Sequence, residues 1–271
     1  PPRVRRRPAT QPGQERDGGV RGKRDEGFMG LKADLHLHTR EGEAFIAYDA
    51  RGLIDRAARD GFQVLSITNH NTVTFSDELA AYARERGILL IPGVEATIEG
   101  RHVLLYNLDV PPRHIQTFAD LRRLRSREWL VVAAHPFFPG FTCLRRRLVK
   151  EIDLFDAIEF SHFYTRRIDF NRPAVRLARE IGLPLLGTSD SHLARQFGTT
   201  YSLIDGELTV ASVLAAIRKG QVRVVSRPLR LRELVRIALE LTLGRVSLAF
   251  RQPNLIRASC PRTLVVGGAE P

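Results

Sequence analysis

Cysteine, methionine, tryptophan and lysine are all scarce in this chain of 271 residues. Cys143 and Cys260 are its only thiols. Two thiols cannot build a disulfide framework or a four-thiolate zinc site, and a reducing, cytoplasmic setting suits them best. No run of about eighteen uncharged apolar residues occurs, so no helix is expected to span a membrane. The first residues are rich in arginine and hold no apolar segment, so they read as no secretory signal. Aromatic side chains make up 7% of the chain, which is sparse for the stacking platforms on which a polynucleotide lies. What is plentiful is apolar and basic. Apolar residues are 43% of the total, enough to build a full core and to exclude wholesale disorder.

The net charge of +12 is unevenly spread. Residues 1–28 carry eight Arg and Lys against four acidic residues, and residues 227–271 carry eight Arg against three Glu. The body over 29–226 is left with only +3. Basic flanks attract nucleic acid or anionic lipid. Yet only four of the 42 basic residues are Lys, which points to base-composition bias rather than to a partner. Residues 1–28 lack periodicity and read as a disordered basic extension. Met29, the single methionine, stands directly before the first strand pattern, and the expectation is that it lies close to a natural start, the alternative being that 1–28 is a short basic tail.

From residue 31 short β-rich runs alternate with helical patterns. The runs fall at 33–37, 63–68, 88–97, 102–107, 130–134, 156–160 and 184–188. Leu53, Ile54 and Ala57 give one helical face, and Phe118, Leu121 and Leu124 another. Ser76, followed by Glu78 and Leu79, marks a helix start. The alternation implies an α/β fold with a mainly parallel sheet. One connection is too short for a helix. Thr97 to His102 reads as a hairpin with Glu99 and Gly100 at its tip. That register sets Thr97 opposite His102 and puts Glu95 on the same face, one diagonal step away. Residues 229–243 form an amphipathic helix whose Leu231, Leu234 and Leu239 are expected to cover the body. The organisation is thus 1–28 extension, 29–226 main domain, and 227–271 helix and tail.

Six of the eight histidines stand at or beside strand ends. His36 and His38, two apart on a strand, point to one face. His70, His102, His135 and His192 follow or begin later strands, with Glu95 and Asp190 among them. In a strand–helix barrel the carboxyl ends of the strands form one rim, which holds the active site. Imidazole and carboxylate suit zinc, manganese or iron, and so many donors exceed one tetrahedral site. Two or three divalent metals are implied, and such clusters activate water and clamp phosphate oxygens.

The ordered set of motifs is His-x-His, Thr-Asn-His-Asn, Gly-Val-Glu, Ala-His-Pro and Ser-Asp-x-His. It resembles the polymerase and histidinol phosphatase (PHP) family over about residues 31–226. The resemblance implies a distorted (β/α)7 barrel and a trinuclear site that mostly serves phosphoester hydrolysis. By position, His36, His38, Glu95 and Asp190 would hold one metal. Glu95 would bridge to a second, with His102 and His135. His70 and His192 would hold a third, aided by Glu43 or its competitor Glu41. Many relatives have Asp where this chain has Asn69, so a supporting carboxylate is lost. Asp34 is expected to orient His36 or His38. His162 is a candidate proton donor or substrate contact, and Arg40 and Arg195 are the first candidates for gripping phosphate.

The expected function is hydrolysis of a small phosphoester, nucleotides included, by a metal-bridging hydroxide held near Glu95 and Asp190. A nuclease acting on DNA or RNA ends with the same site is the first alternative. Phe137, Phe138, Phe141, Phe163 and Tyr164 offer it rings for stacking. A non-catalytic, metal-stabilised scaffold is the second, and it has no need of so many retained ligands.

Overall fold

The computed structural model describes residues 30–251. The extension expected over 1–28, and nearly all of the tail, lie outside them. In chain order the elements are β1 (Leu31–Leu37), α1 (Ala50–Arg59), β2 (Val64–Ile67), α2 (Asp77–Arg84), β3 (Leu89–Leu90), β4 (Gly93–Ile98), β5 (Arg101–Tyr106), α3 (Phe118–Leu124), β6 (Leu130–Ala133), α4 (Arg146–Lys150), β7 (Ala157–Ser161), α5 (Arg172–Ile181), β8 (Leu185–Thr188), β9 (Thr200–Ile204), α6 (Val210–Arg218), β10 (Val222–Ser226) and α7 (Leu231–Arg251). Local chemistry fixes several boundaries. Ser76 caps α2 by accepting from the Leu79 N–H, Thr117 and Asp120 cap α3 reciprocally, and Asp49 caps α1.

The strands form two five-stranded sheets, ordered β10-β9-β1-β2-β3 and β4-β5-β6-β7-β8. A ring of seven strands was the expectation, and it is not what the hydrogen bonds draw. The run at 88–97 is two strands. Pro92 has no N–H to give a ladder, so the chain leaves the first sheet at Leu90 and begins the second at Gly93. β9 and β10 pair antiparallel beside β1, and β5 pairs antiparallel with β4 and β6, so both sheets are mixed rather than mainly parallel. The hairpin keeps the expected register, with Thr97 opposite His102.

Two glycines let the sheets meet. A Cβ on Gly93 would sit 2.2 Å from Ser66 Oγ, and one on Gly187 would sit 2.8 Å from the Tyr201 carbonyl. The strands therefore approach along two seams, β2 against β4 and β8 against β9. Ser202 Oγ crosses the second seam, accepting from Gly187 N at 2.9 Å. Between the sheets lies an apolar cluster that includes Leu35, Val64, Leu104, Val132, Leu186 and Ile204, to which α6 adds Val213 and Ile217. α1 and α2 cover the first sheet with Leu53, Ile54, Ala57 and Ala83. α3 and α5 cover the second with Phe118, Leu121, Ala174 and Ala178.

α7 departs from expectation. Ile237 is buried, but Leu231 and Leu239 are 63% and 57% exposed. No described helix is long and apolar enough to cross a membrane.

Candidate metal centre and active site

β1 delivers His36 and His38 side by side because strand side chains alternate. Both are fully buried. The hairpin β4–β5 turns Glu95 and His102 inward together, and Glu95 becomes the hub of the site. Its Oε2 lies 3.2 Å from His36 Nε2, 3.3 Å from His38 Nε2 and 3.1 Å from His70 Nδ1. Its Oε1 lies 2.7 Å from His102 Nδ1 and 3.0 Å from His135 Nε2. Asp190 Oδ1 closes the other side, 3.4 Å from His36 Nε2 and 3.3 Å from His38 Nε2. His135 and Asp190 both hold positive φ, 25° and 44°. Such backbone is costly for residues other than glycine and persists where the surroundings enforce it.

The structure separates the two glutamates that competed by sequence. Glu43 Oε1 stands 3.1 Å from His38 Nδ1, 3.4 Å from His70 Nε2 and 3.2 Å from His192 Nε2. Glu41 instead accepts from the Ala50 N–H at the start of α1. Three donor groups result, each with its atoms within 4.8 Å of one another: His38, Glu43, His70 and His192; His36, His38, Glu95 and Asp190; and His70, Glu95 and His102. The sequence reading paired His102 with His135. Here His70 closes that third group, while His135 holds Glu95 from the side and sets Nδ1 3.4 Å from Cys143 Sγ.

These are not ordinary hydrogen bonds. His36 Nε2, both ring nitrogens of His38, Glu43 Oε1, His70 Nδ1, His102 Nδ1, Asp190 Oδ1 and His192 Nε2 are buried without a hydrogen-bond partner. Buried polar atoms are nearly always paired. Carboxylate oxygens and imidazole nitrogens that converge at about 3 Å without aligning suit divalent cations between them, each neutral ring offering one nitrogen.

The electrostatics are correspondingly strong. Burial penalises the Glu95 carboxylate, but His102, His70 and His36 outweigh that and hold it well below the usual range. Asp190 behaves likewise, with His36 and His38 outweighing its burial. Burial works against charge on His38, yet Asp190, Glu43 and Glu95 lift it to about 10. Burial alone dominates at His70, pushed down to about 4.

Supporting residues differ from expectation. Asp34 does not touch an imidazole. Its Oδ1 accepts from the Ser189 N–H at 3.1 Å, bracing the loop before Asp190, and burial lifts its carboxyl to about 7. Asn69 accepts from the Thr39 N–H at 2.8 Å and donates to Thr39 Oγ1 and Thr74 Oγ1. An aspartate could not make those two donations. Here the amide ties down the loop that carries Glu43.

His162 is buried, and burial pushes it down to about 4. Gln196 sets its tautomer. The Gln196 Oε1 accepts from the backbone N–H groups of His192 and Leu193, so its amide nitrogen faces His162 Nε2 at 3.0 Å. That nitrogen must accept, which leaves the imidazole proton on Nδ1. Gln196, Cys143 and Glu159 were missed by sequence reasoning. Only Glu159 left a signal, a lone acid inside the strand run Ala157-Ile158-Glu159-Phe160-Ser161.

Of the metal-ligand candidates, His70, Glu95, His102, His135, Asp190 and His192 line a cleft of about 350 Å³, whose apolar side includes Phe138, Phe163 and Leu241 of α7. Arg40 and Arg195 are not among its lining residues. Arg40 is half-exposed beside Asp49, and Arg195 pairs with Glu240 of α7 at 2.9 Å.

Comparison with known proteins agrees with this geometry. A family model described as PHP-associated matches residues 169–222. A 5'-3' exoribonuclease of Haemophilus influenzae is 34% identical over 100 residues, 36% of this chain and 36% of that protein. A 3',5'-nucleoside bisphosphate phosphatase of Chromobacterium violaceum is 34% identical over 95 residues, 34% of this chain and 33% of that protein. The chain thus spans about a third of the length of these two curated relatives. A solved structure from Bacteroides vulgatus, a two-domain protein containing a predicted PHP-like metal-dependent phosphoesterase, shares the fold. It aligns with a TM-score of 0.60 and 20% identity over 83% of this chain and 73% of that one. The matched family model over residues 169–222 and the shared fold agree with the ordered motifs in their similarity to the PHP family.

Proposed function

We propose that this chain hydrolyses a small phosphomonoester, nucleotides included, with two or three divalent metals held by His36, His38, Glu43, His70, Glu95, His102, His135, Asp190 and His192. The observation that carries the reading is the convergence of buried, unpartnered donor atoms into three groups sharing Glu95, His38 and His70. Bound manganese, zinc or iron supplies water activation and neutralises charge on phosphate oxygens. The protein's own part is positional. Glu95 and Asp190 lie at the centre as carboxylates. His162 offers a neutral Nδ1–H to a substrate oxygen. Contact by Arg40 or Arg195 requires each to exchange its carboxylate, Asp49 or Glu240, for the phosphate.

Two further parts of the reading rest on physical argument. The seams at Gly93 and Gly187 support taking the two sheets as halves of one distorted barrel. The catalytic unit is taken as 29–226, with 227–271 as a flanking segment, and the chain's two thiols suit the cytoplasm.

A nuclease acting on chain ends is the second reading. Phe138 and Phe163 at the cleft favour it, as does the exoribonuclease relative. One experiment separates the two. A panel of mononucleotides, nucleoside bisphosphates and sugar phosphates is assayed with Mn2+ and with Zn2+, against a single-stranded oligonucleotide at rising salt. Contacts along a polynucleotide give a log–log salt slope of about −0.7 per phosphate. Turnover of small esters with shallow salt dependence supports the phosphatase. Processive digestion with a steep slope promotes the nuclease. No turnover of any ester with either metal overturns both.

A further inference from the structure

Glu159 is fully buried in β7, between Ile158 and Phe160, and is none of the donors assigned above. Its Oε1 receives His36 Nδ1 at 2.6 Å and the Thr188 hydroxyl. Its Oε2 receives the backbone N–H of His135. One carboxylate thus joins the ends of β1, β6 and β8, the strands that present His36, His135 and Asp190.

We infer that Glu159 is the positioning residue of the metal centre, fixing the ring of His36 and the backbone of His135 so that their other nitrogens face Glu95. The inference rests on the metal-centre reading. An ionised carboxylate has only acceptors. His36 therefore holds a proton on Nδ1, and Nε2, 3.2 Å from Glu95 Oε2 and 3.4 Å from Asp190 Oδ1, is the nitrogen left for a metal. With the opposite tautomer, Nε2 would carry a hydrogen and could not ligate. At His135 the same carboxylate grips the N–H of a residue at φ 25°, a conformation needing outside support. A carboxylate behind a ligating imidazole holds its orientation and raises its basicity, and losing such a partner costs about 10- to 100-fold in metal affinity.

The test is made on the full chain, stripped of metal and then reloaded. With Zn2+ bound, the wild type should show His36 with its proton on Nδ1 in 15N-resolved imidazole spectra. Glu159→Gln keeps the shape but turns one acceptor into a donor, so Thr188, His36 or His135 loses its partner. Mn2+ affinity by titration calorimetry should fall about 10- to 100-fold, while the metal-free melting temperature stays close to wild type. Thr188→Val removes one donor from the same carboxylate and should weaken Mn2+ less, and it carries the test if Glu159→Gln does not fold. Wild-type affinity in the folded variants, or a Zn2+-loaded wild type with His36 protonated on Nε2, overturns the inference alone. A wild type that takes up neither Mn2+ nor Zn2+ overturns the metal-centre reading, and the inference with it.

Discussion

At the carboxyl ends of β1 and β8 and within β4 the protein buries polar groups, whereas along α7 it leaves leucines in water. Each region departs from the ordinary sorting of side chains, in opposite directions. At the strand ends every departure is braced from behind. Glu159 holds His36, Asn69 holds the loop of Glu43, and Gln196 holds His162 together with the loop of His192. The unpartnered atoms then point at shared centres. Along α7, Leu231, Val235, Leu239 and Leu243 follow one another every fourth residue and are exposed, with no comparable bracing. The contrast teaches that unusual placement signals chemistry when the surrounding framework enforces it. The first region should therefore lose activity when altered, and the second only stability.

Asp190→Asn breaks the strand-end side most sharply. It keeps the shape of a group beside His36, His38 and His192 but removes its charge. Catalytic efficiency on a phosphoester should fall by about a hundredfold or more. The melting temperature in excess metal should stay near wild type. Steady-state kinetics beside a thermal melt check both halves of the expectation.

Much of this region is legible in the sequence because its rules are local. The alternation of a strand puts His36 and His38 on one face. A two-residue hairpin tip leaves one register in which Glu95 and His102 meet. The Ser76 cap is likewise written in neighbouring residues. What escaped depends on distant partners. Glu159 lies 123 residues from His36, and nothing near either one announces the pair. The break at Pro92 was readable as a missing donor, but its effect, a change of sheet, needs the whole fold. β9 and β10 were overlooked because the search followed strand–helix alternation, and these two pair antiparallel. Arg195 was judged from its place after a motif, while its actual partner, Glu240, comes from a helix far along the chain.

Ile237→Ala tests the packed side of α7. Ile237 is 1% exposed, and truncating a buried isoleucine costs about 2 kcal/mol or more through lost burial and the space left behind. Urea denaturation should show that loss. Catalytic efficiency should stay near wild type, because α7 reaches the cleft through Leu241 instead. A large drop in activity would tie the two regions together.

His162→Asn sharpens the comparison through pH. Burial holds the folded imidazole down to about 4, against an ordinary value of 6.5. Between those values the unfolded chain takes up a proton that the folded chain refuses. Stability from keeping His162 neutral is thus present above pH 6.5 and lost progressively as pH falls toward 4. From pH 6.5 to 5.5 the wild type should lose about 1 kcal/mol more than the variant. Urea midpoints at the two pH values give the difference, and other titrating groups cancel in the comparison.

Leu239→Ser should do least of all. Leu239 is 57% exposed, so its replacement forfeits little burial and leaves no cavity. Surface changes of this kind usually stay within about 0.5 kcal/mol. Its neighbour on the opposite face of the same helix, Ile237, is set to cost about four times as much. Helix propensity is not the reason, since it disfavours Leu239→Ser and favours Ile237→Ala. Only burial separates the two positions. If Leu239→Ser matched Ile237→Ala in a urea melt, the exposed row would be covered in solution. The contrast between a braced polar cluster and a bare apolar face would then be lost.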